Sequence, residues 1–370
     1  MQGSIPAGRM MIPAMSTALP VLRPDLLPPP PPRAPARARR PGHLLDSHGR
    51  RIQDARLSLT DRCNFRCIYC MEPGDRFLPK LELLDLDEYI RLVDILMELG
   101  IRTLRLTGGE PTLYPRLDEL IETIGDRGLD DLSMTTNGSL LDHDRLVQWR
   151  HHGLRRLTFS LDTLREDRMR EITRSRTSVQ RVLESIDEAR RAGFPRPKVN
   201  AVIIRGINDD EIPEFVQLAR DRDLDVRFIE FMPLDSNRAW NRDHVVSADE
   251  MMDVIRDRYA VRPDMTTGPH STSMNWSFSD GAPGRIGMIA PVSRPFCGAC
   301  NRLRITAEGR IRPCLFSHEE WDIRSMLRNG SDDQEIAASI VDMAWTKQAG
   351  HGIDRADFVQ PERTMSAIGG

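Results

Sequence analysis

The sequence predicts an α/β fold: a partial (β/α)6 barrel of the TIM type, with a smaller C-terminal α+β extension that closes the barrel mouth. Three observations predict it. Between residues 54 and 231, short β-branched or Leu-rich runs alternate with amphipathic stretches, and six such pairs in series imply a parallel sheet with helices outside. Six pairs are two short of a closed eight-fold barrel, so the barrel is open. After about Asn241 the alternation gives way to short strand-like pieces separated by Gly/Pro turns.

The six barrel strands are expected at residues 55–59, 103–107, 131–136, 156–161, 199–204 and 225–231. In the helix expected at 86–99, Leu86, Ile90, Val93 and Met97 recur at helical spacing, and Gly100 stands where a C-terminal cap wants glycine. Over 178–192 the set Val179, Val182, Leu183, Ile186 and Ala189 repeats the pattern, closed by Gly193. In the extension a helix is expected at 248–258 and strands at 273–278, 285–289 and 302–306. Further helices are expected at 322–328 and 333–344. In barrels of this type the chemistry sits at the C-terminal ends of the strands.

Three regions follow: a tail at 1–44, a barrel at 45–240 and the extension at 241–370. The tail holds 11 of the chain's 26 prolines and six arginines against one aspartate, a composition that predicts disorder. Its Arg-rich, acid-poor look fits either a transit peptide or an extension ahead of an internal start at Met10, Met11 or Met15. At 39% hydrophobic and 29% charged, the chain as a whole suits a globular protein. A net charge of −3 gives no basic footprint for nucleic acid, and no apolar run is long enough to span a membrane. Only Lys80, Lys198 and Lys347 are lysines, which makes a lysine inside a candidate site worth following.

The six cysteines fall in two distant triplets. Structural disulfides use cysteines in pairs, so odd triplets at short spacing read as ligand sets in a reducing, cytoplasmic setting. Cys63, Cys67 and Cys70 form C-x3-C-x2-C on the loop after the first strand. Three thiolates on an iron–sulfur cubane leave one iron open to a small molecule. A structural zinc ion wants four ligands, and no fourth Cys or His lies near this loop. Cys297, Cys300 and Cys314 form C-x2-C-x13-C, which alone fits a second cluster or a zinc site completed by His318.

The first triplet, placed after the first strand, resembles the signature of the radical S-adenosylmethionine superfamily. Thr107-Gly108-Gly109-Glu110-Pro111, after the second strand, resembles that superfamily's GGEP motif. The resemblance implies that a [4Fe–4S] cluster chelates S-adenosylmethionine and cleaves it to a 5′-deoxyadenosyl radical. It assigns Tyr69, Gly109, Ser160 and Met232 to the S-adenosylmethionine pocket. Without it, Tyr69 would be loop packing, Ser160 a loop cap and Met232 a core residue. Glycine permits close backbone approach, and backbone carbonyls or the Glu110 carboxylate could accept from the methionine ammonium.

With the second triplet, the chain from about residue 49 onward resembles the GTP 3′,8-cyclases of molybdenum cofactor biosynthesis. Arg56 to Cys67, Arg105 to Pro111, Thr135 to Gly138 and Arg227 to Met232 carry the likeness, and Gly369-Gly370 fits a family in which the double-glycine end enters the active site. The resemblance implies two [4Fe–4S] clusters, with GTP's guanine on the second. It implies a substrate site of Arg56, Arg105, Thr135, Lys198, Arg302 and Arg304, with Arg304 also assisting the final reduction. The implied product is (8S)-3′,8-cyclo-7,8-dihydroguanosine 5′-triphosphate, passed to the cyclic pyranopterin monophosphate synthase. A reductant of unknown identity and a monomer or homodimer complete the expectation. Independently of family, Arg302 and Arg304 alternate on a strand just after Cys300 and so share one face, and guanidinium groups suit phosphate. The rivals are a radical enzyme acting on a peptide or other metabolite, an electron-transfer iron–sulfur protein, and a zinc protein.

Overall fold

The computed structural model describes residues 30–39, 42–266, 268 and 270–369. Residues 31–370 form one compact unit. The barrel strands are β1 (Asp54–Ser58), β2 (Thr103–Thr107), β3 (Asp131–Thr136), β4 (Leu154–Ser160), β5 (Lys198–Ile203) and β6 (Asp225–Glu230). The extension adds β7 (Val261–Pro263), β8 (Met274–Phe278), β9 (Arg285–Ile289), β10 (Arg302–Ile305), β11 (Arg310–Arg312) and β12 (Trp321–Asp322). Outside β1–β6 lie α1 (Leu86–Glu98), α2 (Leu117–Gly125), α3 (His143–His151), α4 (Glu166–Thr173), α5 (Val179–Arg191) and α6 (Ile212–Arg222). Then come α7 (Ala248–Arg256), α8 (Arg324–Arg328), α9 (Asp333–Trp345) and α10 (Met365–Ile368).

The strands form one sheet in the order β12-β11-β10-β1-β2-β3-β4-β5-β6-β9-β8-β7. Eight neighbours, from β10 through β9, run parallel, while the outer strands on each side are antiparallel. β9 and β10 do not pair with each other, so the barrel stays open, as six βα units require. The extension is thus continuous with the barrel sheet: it supplies a parallel strand to each edge. The boundary at 240/241 marks a change of topology within one sheet.

Local chemistry explains the elements. α1 begins with a capping box between Asp85 and Glu88, α7 with one between Ser247 and Glu250, and α9 with one between Asp332 and Glu335. The helix expected at 322–328 starts instead at Arg324, because Trp321–Asp322 pairs with β11. Along each barrel strand the residues alternate. Leu57, Leu104, Leu106, Leu157, Phe159 and Phe228 are fully buried in the main core against the helices. The intervening Arg56, Arg105, Thr135, Ser160 and Asn200 face a cavity inside the barrel. At the starts of the strands, Arg156–Asp131 and Arg285–Asp225 pair across neighbouring strands, and Arg302 approaches Asp54 at 4.0 Å.

Part of the segment expected to be disordered is not. Ala34 and Ala38 are buried in the core, the Ala34 N–H donates to Asp342 of α9 at 2.7 Å, and Arg39 pairs with the same carboxylate at 2.5 Å. Small alanines let this stretch seat closely against α9, which a reading of composition alone discounts. Residues 1–29, 40 and 41 lie outside the described residues, as does Gly370. Among the described residues no helix is long and apolar enough to cross a membrane.

Candidate active site

A cavity of about 280 Å³ lies inside the barrel, and all six cysteines line it. The first triplet follows β1 at the C-terminal ends of the parallel strands, whereas Cys300 precedes β10 and Cys314 follows the antiparallel β11, at the strands' N-terminal ends. None is in a disulfide. The first triplet rides on the loop after β1, which is docked from two sides. The Gly109 N–H donates to the Thr60 carbonyl at 2.6 Å and the Glu110 N–H to the Arg62 carbonyl at 2.7 Å. On the other side, Arg66 and Ile68 donate to Thr173 and Ile172 at 2.7 and 2.9 Å. Position 109 admits only glycine, because a Cβ there would lie 2.4 Å from the Arg62 carbonyl oxygen. Cys70 and Met71 both donate backbone N–H to the Cys67 carbonyl, folding that end of the triplet into one turn.

Glu110 is tied into the fold: its carboxylate accepts from the Thr112 and Thr136 hydroxyls, both at 2.7 Å, and from the Asn137 N–H at 2.7 Å, and it lines the cavity. Tyr69 lies in the cavity wall and donates to Asp162 at 2.6 Å, while the other Asp162 oxygen accepts the Val202 N–H at 2.8 Å. Burial pushes the Asp162 carboxyl up to about 6, against the lowering effect of these donors. Gly109, Ser160 and Met232 line the same cavity.

Between the triplets stands a cluster of cations. Arg56, Arg105, Thr135, Arg302 and Arg304 all line the cavity. The Arg105 guanidinium donates to Thr135 and Thr158 at 3.3 and 3.4 Å. Burial first, and then Arg304, Arg105 and Arg302, push Arg56 down. Burial and Arg302 push Arg304 down to about 10. Lys198 is not in the cavity wall. It begins β5, where burial, Arg227, Arg156 and Arg105 push its ammonium down to about 6. Arg227, absent from the expected site, belongs to this group: burial pushes it down to about 10, and its Nε, like that of Arg56, is buried without a partner. The signal for it was parity, since it shares the inward face of β6 and sits opposite Asn200 of β5. Buried cations that repel one another and keep unspent N–H donors form a site that an anion stabilises.

Cys297 sits on a single 3₁₀ turn, Cys300 just before β10, and Cys314 just after β11. Residues 347–351 run across them, and Gln348 donates to the Cys314 sulfur at 3.6 Å. Arg50 holds that segment in place through the Gln348 and Cys297 carbonyls at 2.6 and 2.7 Å. His318, the fourth ligand a zinc site would take, is exposed and does not line the cavity. Burial pushes the Cys63 and Cys70 thiols up to about 11 and about 12, and three thiols on one loop are the donor number that a [4Fe–4S] cluster with one open iron takes. The C-terminus closes one side of the cavity. Ile368 packs with Leu234, Phe316 and Ile353 in a small separate core, and the Gly369 carbonyl accepts from Arg304 at 2.8 Å.

The family model described as "Radical SAM superfamily" matches residues 57–219, and "Molybdenum Cofactor Synthesis C" matches residues 224–353. The chain is 44% identical over 330 residues to the GTP 3′,8-cyclase of Streptomyces coelicolor, covering 88% of this chain and 96% of that one. It is 44% identical over 332 residues to the GTP 3′,8-cyclase of Rhodopirellula baltica, covering 88% of this chain and 92% of that one. Among solved structures, Streptococcus suis SuiB bound to S-adenosylmethionine matches in fold, with a TM-score of 0.59 at 14% identity over 84% of this chain and 69% of that one. These likenesses span the barrel, the extension and both triplets, and the chain belongs to the GTP 3′,8-cyclase family of radical S-adenosylmethionine enzymes.

Proposed function

We propose that this chain converts GTP to (8S)-3′,8-cyclo-7,8-dihydroguanosine 5′-triphosphate, using one [4Fe–4S] cluster at Cys63, Cys67 and Cys70 and a second at Cys297, Cys300 and Cys314. The observation that carries this reading is the single cavity in which two cysteine triplets face each other with a cluster of cations between them. The first cluster with S-adenosylmethionine supplies one-electron sulfonium cleavage and, through it, hydrogen-atom abstraction from the ribose.

The protein's part is placement. Tyr69, held by Asp162, gives the adenine a fixed wall, and Gly109, Ser160 and Met232 shape the rest of the S-adenosylmethionine pocket. Arg56, Arg105, Thr135, Arg302 and Arg304 hold the triphosphate from the cavity wall, with Lys198 and Arg227 adding positive charge from outside it, and this fixes the ribose between the two triplets. Arg304 is the catalytic cation: anchored on the Gly369 carbonyl, it stands where charge develops as the product radical is reduced. The C-terminal turn and Phe316 exclude water from that side. A protein reductant, passage of the product to a cyclic pyranopterin monophosphate synthase, a monomeric or homodimeric state and a cytoplasmic location complete the proposal.

The test is anaerobic turnover of reconstituted protein with S-adenosylmethionine and reductant, with and without GTP. GTP-dependent 5′-deoxyadenosine and a cyclised GTP product are expected. In Cys297→Ser, iron falls from about eight to about four per chain, S-adenosylmethionine cleavage persists and GTP turnover is lost. Wild-type GTP turnover by that variant would refute the two-cluster assignment.

A further inference from the structure

The segment after α9 lies against the second triplet: the Gln348 amide donates to the Cys314 sulfur at 3.6 Å, and Lys347 lines the same cavity as Cys297, Cys300 and Cys314. At the first triplet the Phe65 N–H, a neutral donor, stands 3.4 Å from the Cys63 sulfur.

Lys347 is placed with unusual constraint. It is 2% exposed. Its Nζ donates to the Arg302 carbonyl at 2.9 Å and also to the Pro313 carbonyl. Those carbonyls flank the ligand set, Arg302 following Cys300 by two residues and Pro313 immediately preceding Cys314. An ammonium has three N–H bonds, so with two spent on carbonyls one donor remains. Those partners are carbonyls rather than a carboxylate, and a buried cation of this kind needs a counter-charge.

We propose that Lys347 is the fixed counter-charge of the second triplet, raising the reduction potential of a [4Fe–4S] cluster held by Cys297, Cys300 and Cys314. The inference rests on the second-cluster reading above. Hydrogen bonds and positive charge at a cluster sulfur favour the more negative, reduced state.

The test isolates the second triplet in the full-length chain by Cys63→Ser, Cys67→Ser and Cys70→Ser, followed by anaerobic reconstitution. Iron per chain and an EPR-monitored redox titration are compared for Lys347, Lys347→Gln and Lys347→Arg. The expected result is about four irons per chain in all three. The one-electron reduction constant should fall roughly tenfold in Lys347→Gln, about 59 mV to more negative potential, and recover most of the way in Lys347→Arg. If Lys347→Gln binds no cluster while Lys347→Arg does, the counter-charge is again supported. An unchanged potential in Lys347→Gln, or equal cluster loss in both variants, overturns the proposal while leaving the second cluster in place. Absence of iron with Lys347 intact overturns the second-cluster reading itself.

Discussion

Arg363→Met removes the cation that ties the C-terminal turn to the loop of the second triplet. Arg363 pairs with Glu308 at 2.5 Å and with Glu320, and Glu320 also pairs with Arg312 at 2.7 Å. The four side chains are 2–19% exposed, so solvent screens them little. In the variant Glu320 keeps Arg312, but Glu308 loses its ion-pair partner. Breaking a buried pair from one side costs about 3–5 kcal/mol, and the partial exposure of Arg363 brings this to about 2–3 kcal/mol. The cost falls on docking of residues 364–369, because Arg363 is where that turn leaves the loop. Docking should weaken by about 30- to 150-fold. Hydrogen exchange at the Met365 amide, which donates to the Leu234 carbonyl at 3.2 Å, reads this directly. The same bond supplies a pH signature. Burial alone would raise the Glu320 carboxyl, but Arg363 and Arg312 outweigh it and hold the group low. Its stabilisation is therefore present above the ordinary glutamate range and lost as pH falls through the depressed value, and the variant, in which Arg312 alone remains, should show a smaller acid-side loss. Met365 exchange within about threefold of wild type, an effect below 1 kcal/mol, would refute the reasoning.

Gly109→Ala should displace the first-triplet loop, since the new Cβ meets two carbonyl oxygens at 2.4 and 2.6 Å; a loss of about 1–3 kcal/mol in unfolding free energy and weakened S-adenosylmethionine binding are expected by denaturation and equilibrium binding. For Asp162, raised to about 6 by burial, the sign runs against ionisation: iron-free protein should be most stable below the ordinary aspartate range and lose about 3 kcal/mol as pH rises through about 6. Asp162→Asn should flatten that slope in urea titrations at successive pH values. Lys198, pushed down to about 6 by burial and then Arg227, should take up a proton when triphosphate binds, so GTP affinity falls as pH rises from 6 toward 9. Calorimetry in buffers of different ionisation enthalpy should detect about one proton near pH 8, absent in Lys198→Met; equal uptake in that variant would assign the proton elsewhere.

The sequence by itself determined the barrel strands, because each is a local run with its own turn signals: β2 and β3 begin and end where the pattern places them, and β1, β4, β5 and β6 differ by one or two residues at an end. It marked both cysteine triplets, since spacing within a loop is a local property, and the two triplets line one cavity. It also placed Arg302 and Arg304 on one face, because strand parity is local too. Only the tertiary structure decided what depends on distant pairing. Register between β1 and β10 sets Arg56 beside Arg304, and pairing of β6 with β9 joins the extension to the barrel's other edge; neither leaves a periodic trace in sequence. The same holds for Arg227, whose parity alone did not separate it from surface arginines. It holds for residues 34–39, whose alanines find α9 despite a composition that argues for disorder. Lys347 is the sharpest case: two of its donors are taken by the Arg302 and Pro313 carbonyls, from segments that meet it only when the sheet is assembled, so its placement is fixed by packing and by nothing in its own neighbourhood of the chain.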